Sequence, residues 1–169
     1  MPGPYSGYGR AMLRFRPTAR LLVLDPAGRV LLFSTGDSRG RFWFTPGGGV
    51  HAGESLEEAA ARELAEETGH VASDVGPVVA TRAGLWTAAD GQAFFGADAF
   101  FLVRVSEPTV DTSRQEPLER SVITGYRWWT AEEIRTSGEL VFPPRLDALV
   151  DRLHRDGVPD RPVRLAWDA

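Results

Sequence analysis

Short apolar runs separated by turn-forming residues predict most of the β-structure of this chain. The predicted strands cover residues 19–24, 29–33, 42–44, 78–86, 93–105 and 123–129. Asp25-Pro26-Ala27-Gly28 is a typical turn sequence and joins the first two strands into a hairpin. The fourth and fifth strands form a second hairpin around Ala89-Asp90-Gly91, and the apolar stretch 99–105 predicts a central strand.

Helical periodicity is clearest over Leu56–Thr68, where a mostly apolar stripe runs along one side of the predicted helix. Ser55 and Glu58 have the spacing of a capping box at its start, and Gly69 supplies the left-handed residue that ends a helix. The other predicted helices cover residues 131–135 and about 143–155. Strands interleaved with two main helices predict a helix–sheet–helix sandwich.

The composition is that of an ordinary globular protein, with 43% hydrophobic and 25% charged residues in a chain of 169. This length predicts one domain over 11–169, after a Gly/Pro/Tyr-rich segment 1–10 that we expect to be disordered. No apolar run approaches the ~18 residues of a membrane span, and the N-terminus lacks the apolar core of a signal peptide. The cytoplasm is therefore the expected compartment, with no membrane partner.

The charge pattern and the missing residue types exclude several function classes. The net charge is −4 and there is no long basic run, so a nucleic-acid polymer is not an expected partner. All 19 basic residues are arginine, which rules out lysine chemistry such as a Schiff base or a P-loop. The chain has no cysteine, which excludes a disulfide framework and a thiolate metal site.

Three carboxylates share one face of the helix predicted over 56–68. Glu63, Glu66 and Glu67 are related by steps of one, three and four residues, so their side chains project from the same side. Like charges at three- and four-residue spacing repel by about 0.2–0.5 kcal/mol per pair in an isolated helix. A divalent cation turns that repulsion into a binding site, and oxygen ligands suit Mg²⁺ or Mn²⁺. Arg62 lies four residues before Glu66 and is placed to orient its carboxylate.

With the glycines that precede it, this helix resembles the Nudix box, the signature of the Nudix hydrolases. Eight residues match the box at the required spacing: Gly48, Glu54, Arg62, Glu63, Leu64, Glu66, Glu67 and Gly69. The box covers Gly48–His70, and His70 departs from it by standing where an aliphatic residue is usual. The resemblance implies the α/β (α+β) class, with a Nudix-type helix–sheet–helix sandwich and a mixed β-sheet.

The activity that the resemblance implies is Mg²⁺-dependent hydrolysis of a nucleoside diphosphate linked to another group X, by attack of water on the pyrophosphate. The metal, with Mn²⁺ as an alternative, is expected on Glu63, Glu66, Glu67 and the carbonyl oxygen of Gly48. Glu66 and Glu67 are the expected principal ligands, and Arg62 is expected to support them. A nucleotide-type small molecule is the expected partner, and a homodimer is compatible with the family.

The sequence leaves the general base open. A glutamate of the box is one candidate, and Glu116 and Glu119 in a later polar loop are two others. Asp98, just before the Phe100-Phe101 stretch, is a fourth. Glu54 has two interpretations, either as a charge that complements the helix dipole or as an active-site ligand.

Substrate contacts are expected from cationic and aromatic residues outside the box. Arg39, Arg41 and Arg82 are each interpreted either as a phosphate ligand or as a solvated surface charge. Trp86 is a candidate for stacking on a base, although aromatic residues on strands more often belong to the core. Residues that mark ADP-ribose, coenzyme A or NADH as substrates in this family are absent. Trp86 gives the chain a weak likeness to family members that cleave dinucleoside polyphosphates. Nucleoside triphosphates are a further candidate class of substrate.

Two other protein classes share this fold. A non-catalytic sensor that binds a nucleotide or a sugar commonly lacks box glutamates, and this chain keeps them all. An isomerase of the isopentenyl diphosphate type relies on a cysteine, and this chain has none. The hydrolase is therefore the favoured interpretation, and the sensor is the alternative.

Overall fold

The computed structural model describes residues 13–37, 40–71, 75–87 and 91–167, without the side chains of Asp37, Leu118 and Glu119. Three features of the sequence interpretation lie outside the described residues: the segment 1–10, Arg39, and the turn residues Ala89-Asp90.

The described residues form nine strands and four helices. The strands are β1 Arg14–Leu24, β2 Val30–Asp37, β3 Gly40–Phe44, β4 Gly47–Gly49, β5 Val78–Thr87, β6 Ala93–Arg104, β7 Ile123–Trp129, β8 Leu140–Phe142 and β9 Val163–Arg164. The helices are α1 Leu56–Thr68, α2 Pro117–Val122, α3 Ala131–Thr136 and α4 Leu146–Asp156. The bounds of α1 and β7 are as predicted, whereas β1 begins earlier and β2 ends later than the prediction.

The strands form one mixed sheet in the order β8-β3-β2-β1-β6-β5-β9, with β4 paired to β1 and β7 paired to β2. The two predicted hairpins are present, because β1 pairs antiparallel with β2 and β5 pairs antiparallel with β6. The centre of the sheet is the parallel pair of β1 and β6, in register from Arg14 with Phe94 to Leu24 with Arg104. The predicted central position of β6 is therefore confirmed.

Helices cover both faces of this sheet, which confirms the predicted sandwich. Side chains on a strand alternate between the two faces, so Leu21 and Val23 of β1 belong to the core beneath α1. Leu22 and Leu24 belong to the opposite core, beneath α3 and α4. The helix residues of the second core include Ile134, Leu146, Leu149, Val150 and Leu153.

Four short elements are not predicted from the sequence: β4, α2, β8 and β9. The three strands among them are held by pairing with distant strands, β4 with β1, β8 with β3 and β9 with β5. The pairing of β9 with β5 places Val163 and Arg164 against the edge of the sheet. Among the described residues, no helix combines the length and the hydrophobicity that crossing a membrane requires.

Candidate active site

A cavity of about 820 Å³ lies between α1, the glycine strand β4 and the face of the sheet formed by β1, β5 and β6. The predicted site residues that line it are Gly48, Arg62, Glu63, Glu66, Glu67, Arg82 and Trp86, together with the base candidates Asp98 and Glu116. The structure thus brings the carboxylate face of α1 together with cationic and aromatic residues that lie far away in the sequence.

The three box carboxylates differ in burial. The exposed fraction of Glu63 is 4% and that of Glu67 is 2%, whereas Glu66 is half-buried. The Glu67 Oε2 atom accepts a hydrogen bond of 2.5 Å from the backbone N–H of Gly47. Buried carboxylates are costly unless they are paired or bind a cation, so their burial on one face marks this end of the cavity as a charged site.

Two of the three glycines of strand β4, Gly47 and Gly48, lie where a side chain would collide with β1 or with a side chain of α1. Gly47 has φ +120°, and a Cβ there would lie 2.2 Å from the carbonyl oxygen of Ala19. A Cβ on Gly48 would lie 2.2 Å from Oε1 of Glu63. Gly48 therefore leaves the space that the Glu63 carboxylate fills.

Arg62 joins the box into one hydrogen-bonded unit. Its Nε and Nη2 donate to the two carboxylate oxygens of Glu54 at 2.8 and 3.0 Å, and Nη2 also donates to the Gly49 carbonyl at 3.1 Å. Its Nη1 donates to Glu63 at 2.7 Å and to Glu66 at 3.2 Å. The predicted contact between Arg62 and Glu66 is present, together with three others that the spacing did not indicate.

The environment of Glu54 gives it a role that differs from both of its interpretations from the sequence. The hydrogen bonds from Arg62, and then the hydrogen bond from the backbone N–H of His51, lower the pKa of Glu54 from 4.5 to about 2. The same hydrogen bond to Glu54 raises the pKa of the Arg62 guanidinium. Glu54 is therefore an ionised partner that orients Arg62, and Arg62 in turn orients Glu63 and Glu66.

The donor set fits a hard divalent cation. It contains only oxygen atoms, from Glu63, Glu66, Glu67 and the Gly48 carbonyl, and hard cations prefer such ligands. Within the described ranges, no three acidic or histidine side chains converge on one point. At this site Nη1 of Arg62 donates to both Glu63 and Glu66 and supplies positive charge to the two carboxylates.

Two partly buried arginines on the sheet, Arg20 and Arg82, continue the cavity beyond α1. Arg20 on β1 donates from Nη1 to the Gly47 carbonyl at 2.9 Å. Burial lowers the pKa of the Arg20 guanidinium, and the carboxylates of Asp98, Glu67 and Glu63 oppose that shift. Arg20 is not among the residues predicted from the sequence, although a charge inside the apolar run 19–24 is a signal that could have found it.

Arg82 and Asp98 face each other across β5 and β6, where they are register partners. Nε of Arg82 donates to Oδ2 of Asp98 at 2.7 Å; the Asp98 side chain is buried and the Arg82 side chain is partly buried. Asp98 is thus inside the cavity, as a base candidate would have to be, but its carboxylate is already paired with a guanidinium.

The far end of the cavity is aromatic. Trp86 stacks on Phe94 with ring centroids 4.6 Å apart and an interplanar angle of 13°, and the Arg16 guanidinium lies 5.8 Å from the Trp86 ring. Trp167, from the segment after β9, also lines this end. Trp167 is not among the site residues predicted from the sequence, because no local pattern links it to the box.

Three other candidates have different positions. Arg41 does not line the cavity, because its Nη2 donates to Glu139 at 3.0 Å, beside the paired strands β3 and β8. Glu116 is exposed and lines the cavity just before α2. Glu119 lies on α2, and its side chain is outside the described part of the structure.

Known proteins resemble this chain in sequence and in fold. A stretch of 57 residues is 42% identical to an RNA pyrophosphohydrolase from Sphingopyxis alaskensis, covering 34% of this chain and 36% of that protein. A stretch of 55 residues is 46% identical to a Bacillus subtilis protein provisionally assigned as an 8-oxo-dGTP diphosphatase, covering 32% and 36%. The matches span little more than a third of the length of these relatives.

The fold is similar to that of a mutator MutT protein from Bacillus halodurans, with a TM-score of 0.60 and 20% identity over 89% of this chain and 88% of that one. The family model of the NUDIX domain matches residues 14–150. Because this match includes most of the chain and the whole box, the chain belongs to the NUDIX domain family.

Proposed function

We propose that this protein is a Mg²⁺-dependent hydrolase that cleaves the pyrophosphate of a nucleoside diphosphate linked to another group X. The observation that carries the proposal is the placement of three box carboxylates at one end of a cavity that has arginines and aromatic rings further along. That arrangement suits a ligand with a charged diphosphate at one end and a planar group at the other.

The residues proposed to hold the metal are Glu63, Glu66, Glu67 and the Gly48 carbonyl, with Mg²⁺ favoured and Mn²⁺ as the alternative. Nη1 of Arg62 donates to Glu63 and Glu66, whose negative charge a bound cation would balance, and the hydrogen bonds of Arg62 to Glu54 hold its guanidinium in place. A bound divalent cation supplies positive charge to the phosphate oxygens and makes the attacking water more acidic.

The protein's own groups would position the diphosphate and balance its charge. The guanidinium groups of Arg20 and Arg82 lie in the cavity beyond the carboxylates, where they can attract phosphate oxygens. In the reaction, the water oxygen bonds to one phosphorus, the bond from that phosphorus to the bridging oxygen breaks, and the water proton passes to a base. The products are a nucleoside monophosphate and a phosphorylated X.

We propose that the base is an acidic residue at the start of α2. Glu116 lines the cavity, and Glu119 follows three positions later in the chain. Asp98 is less suited to this role because its carboxylate already accepts a hydrogen bond from Arg82.

Glu116→Gln and Glu119→Gln should separate these two candidates. Loss of the base is expected to lower turnover about 100-fold at saturating metal, since general base catalysis contributes about that much or more. Metal affinity should stay unchanged, because neither residue is among the proposed ligands. The measurements are kcat and a Mg²⁺ titration for each variant. Near wild-type turnover in both variants would place the base elsewhere.

The names of the relatives suggest which substrate classes to test. The charge of this chain argues against binding a nucleic-acid polymer, yet one group of relatives is named for action on RNA. Another relative is named for an oxidised nucleoside triphosphate. Both names indicate that 5′-triphosphorylated RNA and oxidised nucleotides should be tested beside nucleotide sugars, ADP-ribose, NADH and dinucleoside polyphosphates.

The experiment that tests the function measures nucleoside monophosphate and phosphate release from this panel with Mg²⁺, with Mn²⁺ and with a chelator. We expect cleavage of one substrate class that needs the metal and stops with the chelator. Circular dichroism should show that the chelated protein stays folded, because its cores do not depend on the metal site. Metal binding without cleavage of any substrate would favour the sensor alternative, and unfolding by the chelator would make the metal structural.

A further inference from the structure

Trp167 rests on two glycines at the middle of the sheet. Gly84 on β5 and Gly96 on β6 are register partners, and a Cβ on either would lie 2.1 or 2.4 Å from the indole. The atoms nearest Gly84 belong to the five-membered ring, and those nearest Gly96 belong to the six-membered ring, so the indole spans both glycines. Glycine weakens the interior of a strand and often marks the close approach of another group. Here the approaching group is an aromatic ring.

The position of Trp167 relative to the carboxylates can be measured along β1. Gly96 is in register with Arg16, and Arg20, which contacts the glycine strand β4, lies four residues further along. At ~3.3 Å per residue, Arg16 and Arg20 lie about 13 Å apart along β1. Trp167 therefore lies beside the Arg16 end of this stretch, and the α1 carboxylates lie toward the Arg20 end, so the cavity has separate regions for a base and for phosphates.

The groups around Trp167 suit a planar, polar ring. Trp86, stacked on Phe94, lies two pairs further along the same two strands, and the guanidinium of Arg82 lies 4.9 Å from the centre of the Trp167 ring. Arg16 lines the cavity, and within the described ranges it has no carboxylate partner. Aromatic faces bind nucleobases by stacking, and an unpaired guanidinium can donate to the acceptor atoms of a base or a sugar.

We propose that Trp167, with Trp86 beside it, forms the surface that binds the nucleobase of the substrate. This inference rests on the proposed hydrolase function and adds to it that the group bound far from the carboxylates is the base. A residue from the end of the chain would then set the affinity for substrates that carry a base, without touching the phosphates.

The test is equilibrium binding to the full chain by calorimetry, in the presence of Mg²⁺. The probes are the α,β-methylene analogues of ATP and GTP, which resist hydrolysis at that bond, and tripolyphosphate, which has no base. Trp167→Ala is expected to raise the Kd of the nucleotide analogues about 5- to 150-fold, the range for loss of one stacked base. The Kd of tripolyphosphate should change by a much smaller factor, and Trp167→Phe should restore much of the nucleotide affinity.

A second variant and a matched control distinguish a loss of nucleobase binding from a loss of folding. Gly84→Ala keeps Trp167 but adds a methyl group where the indole now lies, so the ring must move. This variant should therefore also weaken nucleotide binding selectively. Trp128→Phe is the control, because Trp128 lies outside the cavity and donates from Nε1 to the Pro108 carbonyl. Melting temperatures of all variants report whether any of them unfolds.

Two results would overturn the inference. One is an equal change in the Kd of nucleotide and tripolyphosphate in Trp167→Ala, and the other is no change in either. Because binding is measured without turnover, the inference and the hydrolase proposal can fail separately. Nucleotide binding through Trp167 without any cleavage would contradict the hydrolase alone. Cleavage with normal nucleotide binding in Trp167→Ala would contradict the inference alone.

Discussion

Glu66→Gln is expected to lower turnover about 1000-fold, which corresponds to about 4 kcal/mol of transition-state stabilisation. The substitution removes one negative charge from the proposed metal ligands and leaves the shape of the side chain almost unchanged. Stability should change little, because Glu66 is half-buried and its hydrogen bond to Arg62 is 3.2 Å long. The measurements are kcat at saturating Mg²⁺ and the melting temperature.

Glu57→Gln is the matched control for this variant. It makes the same chemical change on the same helix, at an exposed position in the first turn, outside the cavity. We expect Glu57→Gln to keep wild-type turnover. Near-normal turnover in Glu66→Gln would remove Glu66 from the ligands, and a large loss of stability would show that it supports the fold instead.

Gly48→Ala is expected to lower turnover about 100-fold or more, although it adds only one methyl group. The new Cβ would lie 2.2 Å from Oε1 of Glu63, so the carboxylate must move by about 1 Å or more, and a displacement of that size can cost about 100-fold in rate. Folding should be much less affected. The Glu63 carboxylate is the end of a flexible side chain that can swing away, and Ala also restricts the unfolded chain more than Gly does.

Gly49→Ala provides the comparison, since it makes the same change one residue later in β4. The nearest atom to a Cβ there is Nε of Arg16 at 3.9 Å, an ordinary contact. Its effect on turnover should therefore be much smaller than that of Gly48→Ala. Equal turnover in the two variants would mean that the position of the Glu63 carboxylate does not matter for the reaction. Chemical denaturation of both variants would show whether stability differs.

The parts of the fold that could be predicted depend on neighbouring residues. Helix α1 has its predicted bounds because Ser55 and Glu58 cap its start by reciprocal hydrogen bonds, and Gly69 ends it at φ +75°. The bounds of β7 and the two hairpins follow from apolar runs and turn residues. Strand β4 could not be predicted in this way, because glycine has no preference for strands and only pairing with β1 makes this segment one.

In the candidate site, too, only the features that depend on neighbouring residues could be predicted. The helical repeat is enough to place Glu63, Glu66 and Glu67 on one face, but it cannot show which of them is buried. Burial depends on what packs over the helix, and β4 covers Glu63 and Glu67 more completely than Glu66. The sequence also indicated the contact of Arg62 with Glu66, while the contacts with Glu54, Glu63 and Gly49 depend on the path of the loop before α1.

By itself, the sequence determined the family, the helix that carries the carboxylates, and the chemistry that their oxygen atoms favour. These features arise within a few turns of one helix, where spacing alone sets which side chains are neighbours. Only the tertiary structure decided that Arg20 and Trp167 join the cavity and that Arg41 pairs with Glu139 instead. The reason is that strands far apart in the chain become neighbours through their backbone hydrogen bonds, and no local pattern of residues specifies that register.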